Sequence, residues 1–414
     1  MKTCLITSVL LIPIVILTFR QLQEETKTKT TCDRIEEAGY SCKTYDIITQ
    51  DGYGLQVFRV GNSTGTTEAA PAVLLMHGLS SCSDAWVIEG LPNPLAYELV
   101  DQGYDVWLGN SRGNTYGSRH LNMTPDDRQF WRFSFHEIGT IDLPQTIDFI
   151  LEQTQQTALH YVGHSQGSTI AFVLLSMRPE YNEKFKSLTM LAQAVYVSHI
   201  KSLVAKYSSI FVGKYTPLQS FIGDTAFFGQ PILRQLLGFE NCRSKDANPK
   251  LCAFLIQLVF GGNSAYLEKA LLPNIFNTHP STSSMHQLIH FVQMYTSQQF
   301  RQYDVGPEGN LKRYNQSTPP EYDLSNVNPR FPIHLFYSDY DELSSKTDAE
   351  NLSQVLGNKS VSHFIDLEQF AHMDFVWASN IKQVINQPVI EIINEVENFL
   401  RNEVKDSLQS IEVR

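Results

Sequence analysis

Apolar and polar positions alternate in a regular rhythm at both ends of the chain, and this rhythm predicts strands and helices. Residues 45–49 and 55–60 have strand patterns on either side of turn-forming residues, which predicts a β-hairpin. Further short apolar runs predict buried strands at 72–76, 104–108, 160–162, 188–192, 333–337 and 361–365. Helical spacing predicts helices at 94–101, 141–152, 169–176 and 388–402. Alternating strands and helices predict an α/β fold with a mostly parallel sheet covered on both faces.

The rhythm breaks over residues 196–330. Helical or irregular segments rich in aromatic residues, proline and glycine replace the regular alternation there. Residues 251–260 are almost continuously apolar, which is typical of a buried helix and also of a lid over an apolar site. We therefore predict a core formed by residues 21–195 and 331–414, with residues 196–330 inserted as a helical cap or lid.

A predicted strand, a tight turn and a predicted helix surround Ser165. The turn at 163–167 reads Gly-His-Ser-Gln-Gly, which is a G-x-S-x-G pattern. Between a strand and a helix this pattern is the nucleophile elbow of the α/β-hydrolase fold, in which a strained turn exposes the serine hydroxyl. The pattern alone is weak evidence, so the rest of the chain must supply the groups that such a serine needs.

A nucleophilic serine needs a base that takes its proton and an acid that orients the base. In this fold the acid and then a histidine follow the serine along the chain, in loops at the carboxyl ends of later strands. Asp339 and Asp341 both follow the strand predicted at 333–337, and the deeper loop position of Asp341 favours it. His372 follows the last predicted strand and is the candidate base, although a lone loop histidine can also be an ordinary surface residue.

An oxyanion hole is the remaining requirement of this chemistry. One backbone N–H is expected from Gln166, directly after the serine, and a second from the loop that follows an earlier strand. The sequence His-Gly-Leu at 77–79 occupies that loop, and we assign the second N–H to Leu79. This chemistry requires no cofactor, and we predict no metal site.

Net charge and a predicted targeting signal limit the partners and the cellular location expected for the protein. The chain of 414 residues has a formal net charge of −11 and no basic block, which argues against a nucleic-acid partner. Lys2 followed by the apolar run 5–17 predicts a signal peptide over about residues 1–20. No second long apolar run occurs, so the mature chain is expected to lack a transmembrane span. Secretion is the expected destination, with the lysosome as second choice.

Cysteines and sequons fit an oxidising, glycosylating compartment. Cys32 and Cys42 are ten residues apart, as are Cys242 and Cys252, and each pair is a candidate local disulfide. Cys82 is then left over, either as a buried thiol or as the sign of a different pairing. N-glycosylation sequons begin at Asn62, Asn122, Asn315, Asn351 and Asn358.

Stretches spread over most of the chain resemble the acid lipase family, whose members include gastric lipase, lysosomal acid lipase and insect secreted lipases. They lie at 51–53, 75–79, 103–114, 133–137, 142–144, 161–167 and 372–377. The resemblance implies Ser165, Asp341 and His372 as the catalytic triad, an oxyanion hole at Leu79 and Gln166, and a cap disulfide between Cys242 and Cys252.

The chain also departs from the family pattern. Met373 replaces the usual leucine after the histidine, Asp339 is an additional acid, and Cys32 and Cys42 do not match a pair of the vertebrate members. The region 196–330 matches less well than the core, so no substrate preference is carried over from the family.

Three functions are compatible with these residues. A lipase acting on water-insoluble acyl esters fits the complete triad and the large apolar cap. A hydrolase of small soluble esters or thioesters would use the same triad. A lipid-binding protein that does not cleave its ligand is disfavoured because such proteins typically lose a triad residue.

Overall fold

A computed structural model describes residues 29–62, 70–228, 235 and 237–412. The predicted signal peptide therefore lies outside the described residues. The strands are β1 Ser41–Ile48, β2 Tyr53–Gly61, β3 Ala72–Met76, β4 Asp105–Leu108, β5 Arg119–His120, β6 Leu159–His164, β7 Phe185–Leu191, β8 Ala226–Phe227, β9 Ser283–Ser284, β10 Ile333–Ser338 and β11 Ser360–Ile365. The α-helices are α1 Thr31–Glu37, α2 Leu95–Asp101, α3 Phe135–Glu137, α4 Leu143–Thr154, α5 Gln166–Met177, α6 Leu203–Val212, α7 Pro217–Gly223, α8 Pro249–Phe260, α9 Leu272–Thr278, α10 Met285–Ser297, α11 Pro307–Tyr314, α12 Lys346–Leu356, α13 Asp374–Trp377 and α14 Gln387–Glu412.

One mixed sheet organises the core. Its strand order is β1-β2-β4-β3-β6-β7-β10-β11, with β5 beside β2. The strands from β4 through β3 to β11 run parallel to their neighbours, whereas β2 pairs antiparallel with β1, β4 and β5. The predicted hairpin and the predicted mostly parallel α/β fold are confirmed.

Both faces of the central strands are buried, as the continuous apolar runs predicted. In β3, Val73 and Leu75 belong to one apolar cluster, together with residues of α2 and α14. Leu74 and Met76 belong to a second cluster, together with residues of α4 and α5. Because side chains of a strand point alternately to opposite faces, a strand covered by helices on both sides is apolar at successive positions, as β3 is.

Several elements differ from the sequence-based expectation. Helix α5 begins at Gln166, three residues earlier than predicted, because the chain turns directly from Ser165 into the helix. Helix α14 continues to Glu412, ten residues beyond its predicted end at 402. The sequence analysis did not predict helices α1 and α12. It also did not predict the two-residue strands β5, β8 and β9, because such short pairings depend on tertiary contacts rather than on local pattern.

The segment between β7 and β10, here called the insertion, adds no strand to the main sheet among its described residues. It carries helices α6 to α11 and the short antiparallel pair of β8 and β9. A disulfide joins Cys242 to Cys252 within it, and a second joins Cys32 to Cys42. Both expected pairings are therefore present, and Cys82 is a free, buried cysteine.

A buried polar cluster attaches α14 to the sheet. Glu397 of α14 accepts hydrogen bonds from His160 Nε2 at 3.0 Å and from Lys186 Nζ at 2.8 Å. Burial raises the pKa of Glu397, but the hydrogen bonds from His160 and Lys186 outweigh it and lower the pKa to about 2. The folded state therefore favours the charged carboxylate. This preference stabilises the fold at every pH at which Glu397 of the unfolded chain is ionised.

Replacing Glu397 by glutamine should lower the free energy of unfolding by about 1.5–3 kcal/mol at neutral pH, because the neutral amide oxygen forms weaker hydrogen bonds with His160 and the Lys186 ammonium than the charged carboxylate does. The difference from the parent should be complete above pH 4.5, the ordinary glutamate pKa, and should vanish as pH falls through about 2. Denaturant unfolding at a series of pH values measures this. Glu403→Gln is the control: Glu403 also lies on α14, but its ion pair with Arg330 is half-exposed, so the change in stability should be less than about 1 kcal/mol. Equal effects of the two variants would contradict the assignment.

Candidate active site

Ser165 lies at a sharp corner between β6 and α5. Its backbone has φ 53° and ψ −117°, a conformation that residues other than glycine rarely adopt. A Cβ on Gly163 would lie 2.7 Å from the Gly167 carbonyl carbon, and one on Gly167 would lie 2.5 Å from the Met76 oxygen. Both glycines of the G-x-S-x-G pattern are therefore required by close backbone packing, and the serine is held in a strained turn as the pattern predicted.

The structure brings Ser165, His372 and Asp341 into one hydrogen-bonded chain. His372 Nε2 lies 2.9 Å from Ser165 Oγ, and His372 Nδ1 lies 2.7 Å from Asp341 Oδ2. An ionised carboxylate can only accept, so the Nδ1 proton is donated to Asp341 and Nε2 is left to accept the serine proton. Ser165 is only 9% exposed, and Asp341 and His372 are 0% and 2% exposed. The geometry is that of a nucleophile, a base and an orienting acid.

The loop after β10 holds the two aspartates in different surroundings. Asp341 Oδ1 accepts from the backbone N–H groups of Leu343 and Ser344, both at 2.8 Å. These bonds fix the carboxylate and leave Oδ2 for His372. The Asp339 side chain is 57% exposed and pairs with Lys201. Of the two aspartates, Asp341 is the one bonded to His372, and it is also the one that its deeper position in the loop favoured.

The side chain of His164 holds the backbone of His372. Its carbonyl oxygen accepts a hydrogen bond from His164 Nε2 at 3.0 Å, and the two rings lie 4.9 Å apart. Burial holds the pKa of His164 well below its usual range, and nearby histidines lower it further. His164 is thus favoured as a neutral donor that adds no positive charge beside the base.

A carboxyl group that the sequence analysis gave no role lies two residues after the base. Asp374 is almost fully buried, and its Oδ2 accepts from the backbone N–H of Ala371 at 2.6 Å. Burial raises its pKa to about 7 and the Asp341 carboxylate adds to the rise, against hydrogen bonds from Ser264 and Ala371. An acid two residues after the candidate base is visible in the sequence, but its burial and its partner Ser264 are known only from the fold.

The two candidate oxyanion donors flank the nucleophile. A Cβ on Gly78 would lie 3.0 Å from Ser165 Cβ, so the loop after β3 passes directly beside the serine. Within the described ranges, the backbone N–H groups of Leu79 and Gln166 have no protein acceptor. The Gln166 side chain donates from Nε2 to Gln287 Oε1 of α10 at 2.7 Å. Leu79 and Gln166 therefore remain the candidate donors to a developing oxyanion.

The remaining sequence predictions concern the surface and possible ligands. All five sequon asparagines, Asn62, Asn122, Asn315, Asn351 and Asn358, are exposed. Within the part of the chain that the structure describes, no three His, Cys, Asp or Glu side chains are grouped so that they could hold a metal ion. None of the described helices has the length and apolar character needed to cross a membrane.

The chain is similar to known proteins over most of its length. Residues 71–377 match the alpha/beta hydrolase fold family, and residues 31–90 match the partial alpha/beta-hydrolase lipase region. Lipase 3 of Drosophila melanogaster is 35% identical over 367 residues, which cover 88% of this chain and 93% of the relative. Gastric triacylglycerol lipase of Bos taurus is 36% identical over 361 residues, covering 86% and 89%.

A solved structure shows the same fold at much lower sequence similarity. The crystal structure of a putative lipase from Sulfolobus solfataricus aligns with a TM-score of 0.57 and 16% identity, covering 86% of this chain and 95% of the other. The family matches and the close relatives extend over most of the chain, including the elbow and the loops that carry Asp341 and His372. The chain therefore belongs to the acid lipase family of α/β-hydrolases.

Proposed function

We propose that this protein is a serine lipase that hydrolyses fatty-acyl esters of neutral lipids, of the triacylglycerol or cholesteryl ester type. The observation that carries the proposal is the unbroken chain of hydrogen bonds from Asp341 through His372 to Ser165. Relatives named lipases, at 35% and 36% identity, support a carboxylic ester hydrolase. The neutral-lipid class is our extension, based on the surface described below.

In the proposed first half-reaction, Ser165 Oγ attacks the ester carbonyl carbon while His372 Nε2 takes the hydroxyl proton. Asp341 stabilises the resulting imidazolium and keeps its ring oriented. The carbonyl oxygen becomes negative and receives hydrogen bonds from the backbone N–H groups of Leu79 and Gln166. The C–O bond then breaks, and His372 gives its proton to the departing alcohol, leaving an acyl group on Ser165.

The second half-reaction repeats these roles with water. His372 takes a proton from water, whose oxygen attacks the acyl carbon and forms a second oxyanion at the same two N–H groups. The ester bond to Ser165 breaks, and the proton returns from His372 to the serine oxygen. The products are a fatty acid and the enzyme in its starting state.

An exposed apolar helix face supports a water-insoluble substrate. On α6, Leu203, Tyr207, Ile210 and Phe211 are each at least 64% exposed, and their spacing places them on one side of the helix. On α8, Leu251, Phe254 and Leu258 form a similar exposed row. Exposed apolar patches mark surfaces that meet other apolar material, and we assign these rows to contact with lipid. Residues 196–330, which include both helices, are the proposed cap.

The proposed setting is the secretory pathway. The two disulfides fit an oxidising compartment, and the exposure of all five sequon asparagines leaves them open to glycosylation. We propose secretion as the destination and the lysosome as the alternative.

Ser165→Ala should lower kcat for long-chain acyl esters by at least about 10³-fold, since no other group can form the acyl-enzyme. The fold should persist because the side chain is small and alanine lacks only the hydroxyl. Hydrolysis of an emulsified triacylglycerol, with circular dichroism as the folding control, measures this. Full activity of the variant would rule out the proposed mechanism.

The two aspartates after β10 provide a matched pair of variants. Asp341→Asn should lower kcat by roughly 10³- to 10⁴-fold, because the amide no longer favours the required tautomer of His372. Asp339→Asn removes only an exposed ion pair and should change kcat by less than about twofold. Steady-state kinetics on one soluble ester compares them, and a larger loss in the Asp339 variant would reverse the assignment.

Contact with lipid is tested by removing one exposed apolar side chain of α6. Ile210→Ser should lower the rate on emulsified triacylglycerol roughly fivefold and leave p-nitrophenyl acetate hydrolysis unchanged, because part of the apolar area buried at the interface is lost. Val355→Ser on α12, outside the insertion, is the matched control and should affect neither substrate. A parent enzyme that prefers acetate and gains nothing from an emulsion would favour the small-ester alternative.

A further inference from the structure

A stretch of the insertion packs against the loop that carries His372. This stretch, residues 261–267, is called the brace here and directly follows α8. A Cβ on Gly262 would lie 2.8 Å from Ala371 Cβ, so the two loops are in direct contact. The backbone N–H of Ala265 donates to the Gln369 carbonyl at 3.2 Å. The base loop is thus supported by residues about a hundred positions earlier in the chain.

The Ser264 hydroxyl is the polar centre of the brace. Its Oγ accepts from the backbone N–H groups of Tyr266 at 2.9 Å and Leu267 at 2.8 Å. Its own proton goes to Asp374 Oδ1 at 2.6 Å. Because a hydroxyl has two lone pairs and one proton, all three bonds are used and the direction of the bond to Asp374 is fixed.

Asp374 carries this connection to the base. Its second oxygen, Oδ2, accepts from the Ala371 N–H at 2.6 Å, and its own N–H donates to the Ala371 carbonyl at 3.0 Å. These two bonds close a turn from Ala371 to Asp374, and His372 lies inside it. The side chain is 1% exposed, so water does not replace a lost partner easily.

We propose that Ser264 and Asp374 are positioning residues for His372, an inference that rests on the proposed function. The Ser264 hydroxyl orients the Asp374 carboxyl, and the carboxyl holds the turn that keeps His372 Nε2 within reach of Ser165. Neither residue touches the reacting atoms. Because a misplacement of about 1 Å can cost roughly 10²-fold in rate, a small relaxation of this turn has a measurable consequence.

The test uses three variants of the full chain. Ser264→Ala removes the hydroxyl, whereas Ser264→Thr retains it and adds one methyl group. Ser264 is only half-buried, so the added methyl can be accommodated. Ser244→Ala is the control. Ser244 also lies in the insertion, and its Oγ also accepts from the N–H two residues on, Asp246. Among the described residues, its hydroxyl forms no hydrogen bond with the loop that carries His372. The control therefore removes the same local bond without disturbing His372.

The expected result is a fall in kcat with little change in KM. Ser264→Ala should lower kcat per active site roughly ten- to a hundredfold, whereas Ser264→Thr and Ser244→Ala should stay within about threefold of the parent. Active sites are counted by complete labelling of Ser165 with a fluorophosphonate, so loss of folded protein is separated from loss of alignment. The labelling rate should fall in parallel with kcat while the final labelled fraction stays at the parent level.

Asp374→Asn provides a second, independent arm. Each Asp374 oxygen accepts one hydrogen bond in either protonation state, and an amide nitrogen cannot accept, so one of the two donors loses its partner. This variant should show the same kcat loss at unchanged KM. If it does not fold, the Ser264 variants still decide the question.

The outcomes separate this inference from the proposed function. Parent-level kcat in Ser264→Ala, or an equal loss in Ser264→Thr, would overturn the positioning role while leaving the lipase intact. A reduced labelled fraction with parent-level kcat per site would also overturn it, since the role would then be purely structural. If the parent hydrolyses no ester, the proposed function fails, and the labelling rates of the same variants still test the alignment of His372.

Discussion

The catalytic arrangement requires one contact above all, the hydrogen bond between His372 Nε2 and Ser165 Oγ. It joins residues 207 positions apart across 2.9 Å. No local interaction could fix such a distance. It is set by the parallel strands β3, β6, β10 and β11, whose carboxyl ends meet at one edge and carry Leu79, Ser165, Asp341 and His372 in the loops that follow. A rigid sheet therefore supplies the alignment, and short hydrogen bonds within each loop refine it.

The three loops that carry Ser165, Asp341 and His372 are each held in place by different contacts. Close backbone packing at Gly163 and Gly167 strains the serine turn. Two backbone amides hold the Asp341 carboxylate. The base loop depends on partners outside itself, namely the ring of His164 and the hydroxyl of Ser264. The histidine must accept and return a proton in each half-reaction, so its loop is the one in which small displacements matter most.

Much of this arrangement could be predicted from the sequence because its signals are local. Continuous apolar runs identified the core strands, and the G-x-S-x-G turn between a strand and a helix identified Ser165. Chain order then pointed to His372 and to one of two aspartates. Loop position and the family resemblance favoured Asp341, and the fold adds the physical distinction: Asp341 is buried against His372, whereas Asp339 is exposed.

Other features depend on tertiary contacts that leave no local pattern. The two-residue strands β8 and β9 pair only because the insertion brings them together. Ser264 resembles any other loop serine until its hydroxyl is seen to reach a carboxyl 110 positions later. The exposed row on α6 follows from helical spacing, but the sequence could not show that this face is left uncovered.

The assignment of Ser165 as the nucleophile is tested by mapping the site of covalent labelling. The protein is treated with a long-chain alkyl fluorophosphonate, and the modified peptide is identified by mass spectrometry. We expect a single adduct on Ser165, and slow labelling in Asp341→Asn because His372 is then no longer oriented. An adduct on another residue, or no adduct on folded protein, would contradict the assignment of Ser165 as the nucleophile.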